Sequence, residues 1–211
     1  MATHIHEEEQ VEALKRWWKE NGTSVIAGVV LGVAGILGWN TWQNYQKTQA
    51  EQSSDLYMQL LQAVDQGKPE LAQGVTQRLL EQYPNTAYAD FARLVQAKLS
   101  MDAGKLEEAK KSLGQLMTQS KDPNYRHIAR LRMARILLAM GKQDAALALL
   151  TSKEVGELGR FAGHYEEIKG DVYQAQGKLK EAADAYRRAL ALGRDHAYLR
   201  TKLNDLGVGS S

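Results

Sequence analysis

Cysteine does not occur in the chain. Its absence excludes disulfides, thiolate metal sites and a cysteine nucleophile, and with them an N-terminal Cys through which a repeat lipoprotein could be anchored. Outside the cytoplasm, such a chain would have to rest on packing alone. Proline is scarce at 3 residues, while Ala, Leu, Gln, Lys and Glu dominate, a composition that favours helices over strands. An excess of one charge is missing too, since 27 basic residues against 25 acidic leave a net +2. Residues 1–46 hold Lys15, Arg16 and Lys19 against five glutamates, a local −2, so the remainder carries +4. That balance is far short of a nucleic-acid-binding surface and excludes nucleic acid as the expected partner. Long apolar runs are absent everywhere but one place. The 211 residues therefore predict one substantial soluble domain with a single membrane segment.

That run lies at residues 25–39 and contains only apolar and glycine residues ending in Trp39, inside an uncharged stretch from Asn21 to Gln46. Extended to residues 23–45 it exceeds about 20 residues, enough to span roughly 30 Å of hydrocarbon as a helix. All four tryptophans bracket it, Trp17 and Trp18 before and Trp39 and Trp42 after, with Tyr45 following. Indole and phenol rings prefer the headgroup boundary, so these five form the expected interface belt. The bulky Trp39-Asn40-Thr41-Trp42 end is unlike a small-residue cleavage site, which predicts an uncleaved signal-anchor. Lys15, Arg16 and Lys19 precede the span and only Lys47 follows closely, which places residues 1–22 in the cytoplasm as a tail and the bulk outside. Gly28, Gly32 and Gly35 share one helix face, where small residues let a second helix approach in lipid. Glycine is also common in membrane helices without such a role.

The rest of the chain repeats. Gly67, Gly104, Gly141 and Gly177 are each followed by Lys and, five residues on, by Ala72, Ala109, Ala146 and Ala182. The glycines are spaced by 37, 37 and 36 residues, the signature of a helical repeat array. Each Gly is expected to end a first helix in the left-handed conformation, with the Lys beside the last-turn carbonyls. Each Ala is expected where the second helix comes too close for a larger side chain. The pattern resembles the tetratricopeptide repeat (TPR), most closely at Gly170, Tyr173, Gly177, Ala182, Tyr186 and Ala189. It departs in its long period and in lacking an aromatic near the start of each first helix. The expectation is an all-α fold: a transmembrane helix, then a TPR-like solenoid over residues 46–206. Its four pairs fall at 50–85, 86–122, 123–159 and 160–194, with longer connections around 120–124 and 151–159. A capping helix at 195–206 and a flexible tail at 207–211 complete it. Residues 43–55 read as a polar helix or short linker.

Other motifs carry less. Gly-Lys lacks the glycine and the Ser or Thr of a phosphate loop. His4, His6 and the following glutamates read as a solvated tail, and His127, His164 and His196 show no ligand spacing. Nothing points to a catalytic set or a cofactor, so no enzyme is expected.

Acidic residues, then V-E-A-L-K-R-W-W-K-E-N-G at residues 11–22, then a Gly-rich anchor ending Gly38-Trp39, then four TPR-like units: this combination resembles the YfgM family of ancillary SecYEG translocon subunits. The resemblance covers nearly the whole chain, and residues 11–39 are its most specific part. It implies a Gram-negative inner-membrane protein whose partners are SecYEG channel subunits and a PpiD-type periplasmic chaperone-foldase, helping hand emerging client polypeptides to chaperones. Repeat positions carried over from the TPR pattern nominate a peptide-binding groove at Tyr57, Phe91, Leu94, Lys98, Arg135, His164 and Glu167. Phe91 and Leu94 could equally be inter-repeat core. A scaffold for another envelope-assembly complex remains open beside the translocon reading.

Overall fold

The computed structural model describes residues 2–207, with side chains from Val11 onward. The tail at 208–211 and the side chains of His4, His6 and Glu7 to Glu9 lie outside the described residues. Among the described residues the fold is all-α, in two compact units divided between Gln52 and Ser53.

Helix α1 (Ala2–Asp65) runs through residues 43–55 without a break, so no linker separates the apolar run from the repeats along the chain. The first unit is this helix up to Gln52. Among the described residues, it contains the one helix segment long and apolar enough to cross a membrane. Its apolar side chains are bare, Leu31 at 72% and Ile36 at 63% exposure. Water would penalise that surface at about 25 cal/mol per Å², and lipid would not.

The second unit begins with the end of α1 and continues through α2 (Pro69–Gln82), α3 (Ala87–Asp102), α4 (Leu106–Gln119), α5 (Pro123–Ala139), α6 (Gln143–Thr151), α7 (Ala162–Ala175), α8 (Leu179–Ala191) and α9 (Ala197–Asp205). The helices pair as first and second members around the four Gly-Lys turns. At each turn the glycine holds φ between +63° and +74°, where a side chain would be strained. The following lysine donates its backbone N–H to a carbonyl of the finished helix, Lys68 to Ala63, Lys105 to Ser100, Lys142 to Leu137 and Lys178 to Tyr173, at 2.8–2.9 Å. This is the Schellman closure. The ammonium groups act elsewhere: Lys68 Nζ donates to Gln66 and Lys105 Nζ lies near Glu108. The lysine therefore closes the helix through its backbone, not through its charge.

Ala72, Ala109, Ala146 and Ala182 are all fully buried. Around them the core forms in stages. Leu60, Leu79 and Ala92 join the end of α1 and α2 to α3. Leu113, Leu116 and Ile136 join α4 to α5, and Leu150, Ile168 and Val172 join α6 to α7. Tyr186, Leu199 and Leu206 then seat α9 on α8. Each helix pair thus shares its core with its neighbours only, as a solenoid must.

Residues 120–124 are not a long connection. Only Ser120 to Asp122 separate α4 from α5, because the Asp122 carboxylate caps the backbone N–H of Asn124 and Pro123 occupies the first helical position. The long period is absorbed by the helices themselves, with 16 residues in α3 and 17 in α5. Residues 152–161 do form an extended connection with two 3₁₀ turns, Lys153–Val155 and Gly159–Phe161.

The tightest of the described glycines is Gly170, where an added Cβ would sit 2.3 Å from the Tyr186 ring. That ring is fully buried and its hydroxyl lies 2.8 Å from both the Asp171 carboxylate and the Gln174 side-chain oxygen, to one of which it donates, so it cannot swing aside. Gly74, on α2, meets nothing within 4 Å. Gly170→Ala should therefore destabilise by about 1–3 kcal/mol through overpacking. Gly74→Ala should stabilise by up to about 1 kcal/mol through helix propensity. Urea unfolding followed by circular dichroism measures both, and equal shifts would contradict the close approach.

Candidate protein-interaction surfaces

The exposed face of the first helices carries the groove candidates, and the structure sorts them into three groups. Tyr57, Tyr88, Phe91 and Tyr125, from α1, α3 and α5, form a continuous aromatic ladder. Tyr57 stacks on Phe91 at 5.2 Å between centroids, Tyr88 lies 5.6 Å from Tyr57, and Tyr125 meets Phe91 edge-on at 5.1 Å. All four are half-buried. Burial raises the Tyr57 phenol above its ordinary value and Tyr88 adds to this. Burial, Asp122 and Asp90 do the same for Tyr125. Both rings stay neutral and amphipathic.

The second group is polar, with its lysine and arginines exposed. Lys98 is neutralised by Asp102 one turn later, at 2.5 Å. Arg132 and Arg135 share one face of α5, and Arg132 donates to the Leu94 carbonyl at 3.4 Å. Arg132 is lowered by burial and by the like charge of Arg135. His164, half-buried on α7, has an Nδ1 without a partner among the described residues. Burial lowers its pKa, with Arg194 and Arg135 adding to the effect, so the ring is neutral at pH 7.

The third group leaves the groove. Leu94 is 8% exposed and belongs to the core between α4 and α5, because its position on α3 turns it inward. Glu167 is 3% exposed and held in an ionic cluster. Its carboxylate accepts from Arg194 Nε at 2.8 Å, lies 3.4 Å from His196 Nε2 and 3.8 Å from Lys202 Nζ. Lys202 also donates to Asp171 at 2.6 Å and stands over the Tyr198 ring at 4.6 Å. The cluster ties α9 to α7 and makes Glu167 a structural residue.

Tyr88, Tyr125 and Arg132 were not anticipated. Tyr88 is the second residue of α3 and Tyr125 the third of α5, so two of the first helices do start with an aromatic. Thr86 accepting from Ala89 N, and Asp122 before Pro123, were the cap signals that could have placed those starts.

In the first unit the belt rings pair, Trp17 with Trp18 at 6.4 Å and Trp39 with Trp42 at 5.2 Å, while Tyr45 is exposed. A Cβ added at Gly28, Gly32 or Gly35 would meet nothing within 4 Å. Among the described residues no contact requires glycine there. Among the described residues no three His, Asp or Glu side chains are placed to hold a metal ion.

A family model described as a tetratricopeptide repeat-like domain matches residues 15–208. A Neisseria gonorrhoeae protein named ancillary SecYEG translocon subunit is 30% identical over 98% of this chain and 100% of its own length. The chain belongs to this family. A Haemophilus influenzae protein of the same name is 40% identical over 98 residues, with the match covering 46% of this chain and about half of the relative, 48%. Among solved structures, MamA from Desulfovibrio magneticus superposes with a TM-score of 0.58 over 74% of this chain and 84% of that one, at 17% identity. That likeness supports the repeat fold alone.

Burial alone would raise the Glu167 carboxyl, but hydrogen bonding and charge from Arg194, with His196 and Lys202, hold it below the ordinary glutamate value. A depressed acid stabilises the fold above its unfolded pKa, and the stabilisation is lost as pH falls through the folded value. Glu167→Gln should therefore cost about 1.5–3 kcal/mol at pH 7, and the difference should shrink as the pH falls below 4.5, the ordinary value. Parallel urea titrations at pH 7 and pH 3 test this, and a constant difference would count against the cluster.

Proposed function

We propose that the chain is a non-enzymatic accessory subunit of a SecYEG-type translocon, anchored by its N-terminal helix in the bacterial inner membrane. In this reading residues 1–22 face the cytoplasm, residues 23–45 span the bilayer with the Trp and Tyr belt at its boundaries, and the repeats occupy the periplasm. The observation that carries it is the match to an ancillary SecYEG translocon subunit over the whole chain. Support comes also from an exposed apolar helix joined to a repeat array with an open aromatic and basic face.

The two surfaces divide the work. The Gly28, Gly32 and Gly35 face packs against a helix of the channel, since an added Cβ at each would meet nothing within 4 Å among the described residues. The groove receives a PpiD-type chaperone-foldase and so links export to periplasmic folding. Tyr57, Phe91 and the added Tyr88 and Tyr125 supply rigid apolar contact, and Arg135 with Arg132 supplies charge.

Photo-crosslinkers in place of Gly32 and Arg135 test this in intact membranes. Adducts with channel subunits from Gly32, and with a membrane-anchored periplasmic chaperone from Arg135, are expected. Adducts solely with cell-wall or division proteins would favour the envelope-scaffold alternative instead. Arg132→Glu should reduce the adduct from the Arg135 probe several-fold, about 1 kcal/mol or more, whereas Lys98→Glu should matter less because Asp102 already neutralises Lys98.

A further inference from the structure

Helix α5 carries four arginines and no acidic residue along its 17 residues. The first helices on either side do not supply the missing charge, because their acids are engaged. On α3, Asp90 is held by Arg93 and Ser120, and Asp102 by Lys98. On α7, Glu166 is held by Lys169 and Arg188, Glu167 by Arg194, and Asp171 by Lys202. Arg132 and Arg135, both exposed, are left with each other's like charge, and neither makes an ion pair among the described residues. His164 feels the Arg135 charge and, being neutral, offers nothing against it. Like charges one turn apart oppose a helix, and two guanidinium groups on one face present donors matched to a carboxylate.

The aromatic ladder decides what carries that carboxylate. Tyr125 is the third residue of α5, and Arg132 follows seven residues later. Two helical turns put the arginine on the same face, about 10 Å further along the axis. At about 3.3 Å per residue, roughly three residues of extended chain cover that distance. Asp90 and Asp122 stand near Tyr125, so the ladder end of α5 repels the anion that the arginine end attracts. Apolar contact and negative charge are thus wanted at separate points of one short segment. An anionic lipid surface would meet only this one pair of uncompensated arginines beside half-buried rings, too little to hold a bilayer.

Resting on the reading of this face as the chaperone's groove, we infer that the element it grips is an extended acidic segment of the partner. A large apolar side chain seats on the ladder, and about three residues away an Asp or Glu is held by Arg132 and Arg135. The rings supply contact area, while the arginines reject basic and neutral segments that would fit the rings equally well.

The test uses the full chain in phosphatidylcholine nanodiscs and capped eight-residue peptides of Ser and Ala. Each peptide carries benzophenonylalanine and, three residues on, Glu. Irradiation should place adducts on the peptides that contain Tyr57, Tyr88, Phe91 or Tyr125. Exchanging the peptide's Glu for Gln should cut the yield about fivefold, and Lys should cut it further. Arg132→Gln and Arg135→Gln should each cause a several-fold loss with the unfolding curve unchanged, since both side chains are exposed. Lys111→Gln removes the same charge from the exposed surface of α4 and should leave the yield as it was. Equal yields from the Glu and Gln peptides would overturn the proposal, as would an equal loss in Lys111→Gln or no adduct on the ladder. Loss of the adduct to added phosphatidylglycerol vesicles, but not to phosphatidylcholine vesicles, would assign the arginines to a lipid surface and overturn it too. Chaperone adducts from the Arg135 probe in intact membranes are read separately. Their persistence without a peptide adduct would strike the acidic segment and leave the chaperone reading standing.

Discussion

The array depends on one constraint, the reversal of the chain within three residues between paired helices. A turn that short closes the first helix only if one residue takes a left-handed backbone, which glycine does at little steric cost. Gly67, Gly104, Gly141 and Gly177 meet it with nearly the same φ. Because the turn is short, the second helix starts already against the first. The fully buried Ala72, Ala109, Ala146 and Ala182 are the consequence five residues later. At the last pair the approach is closer still, and Gly170 gives its space to the Tyr186 ring. Backbone geometry and side-chain size are thus two readings of one crossing.

From this regular frame the surfaces differ by what each face leaves unsatisfied. The exposed face of the first helices shows rings that touch one another and arginines that repel. Glu167 illustrates why a repeat position is not enough to identify a binding residue. It sits where a groove residue would sit in an endless array, but the array ends here, and α9 folds over it with Arg194, His196 and Lys202.

Much of this was legible from residues alone, because helix-pair turns and membrane spans are governed by local rules. The four Gly-Lys sites, the buried alanines, the apolar run and its tryptophans each depend on neighbours within a few positions. What escaped depends on distant partners. Leu94 reads as apolar whether it faces a groove or a core, and only the packing of α4 and α5 decides. Tyr88 and Tyr125 were missed because their distance from a helix start depends on caps at Thr86 and Asp122 whose geometry forms with the fold. The long repeat period reads as a lengthened connection at residues 120–124, yet Asp122 and Pro123 make it short.

The staged core has a temporal meaning. Each cluster takes residues from one pair and from the first helix of the next, so no unit is complete until its successor arrives. A chain emerging from its N-terminal end therefore carries one unfinished apolar edge, which moves along as each pair docks and disappears only when Leu199 and Leu206 seat α9. Folding of this array is a zipper with a single open tooth, and its last tooth is fastened by charge as well as by packing.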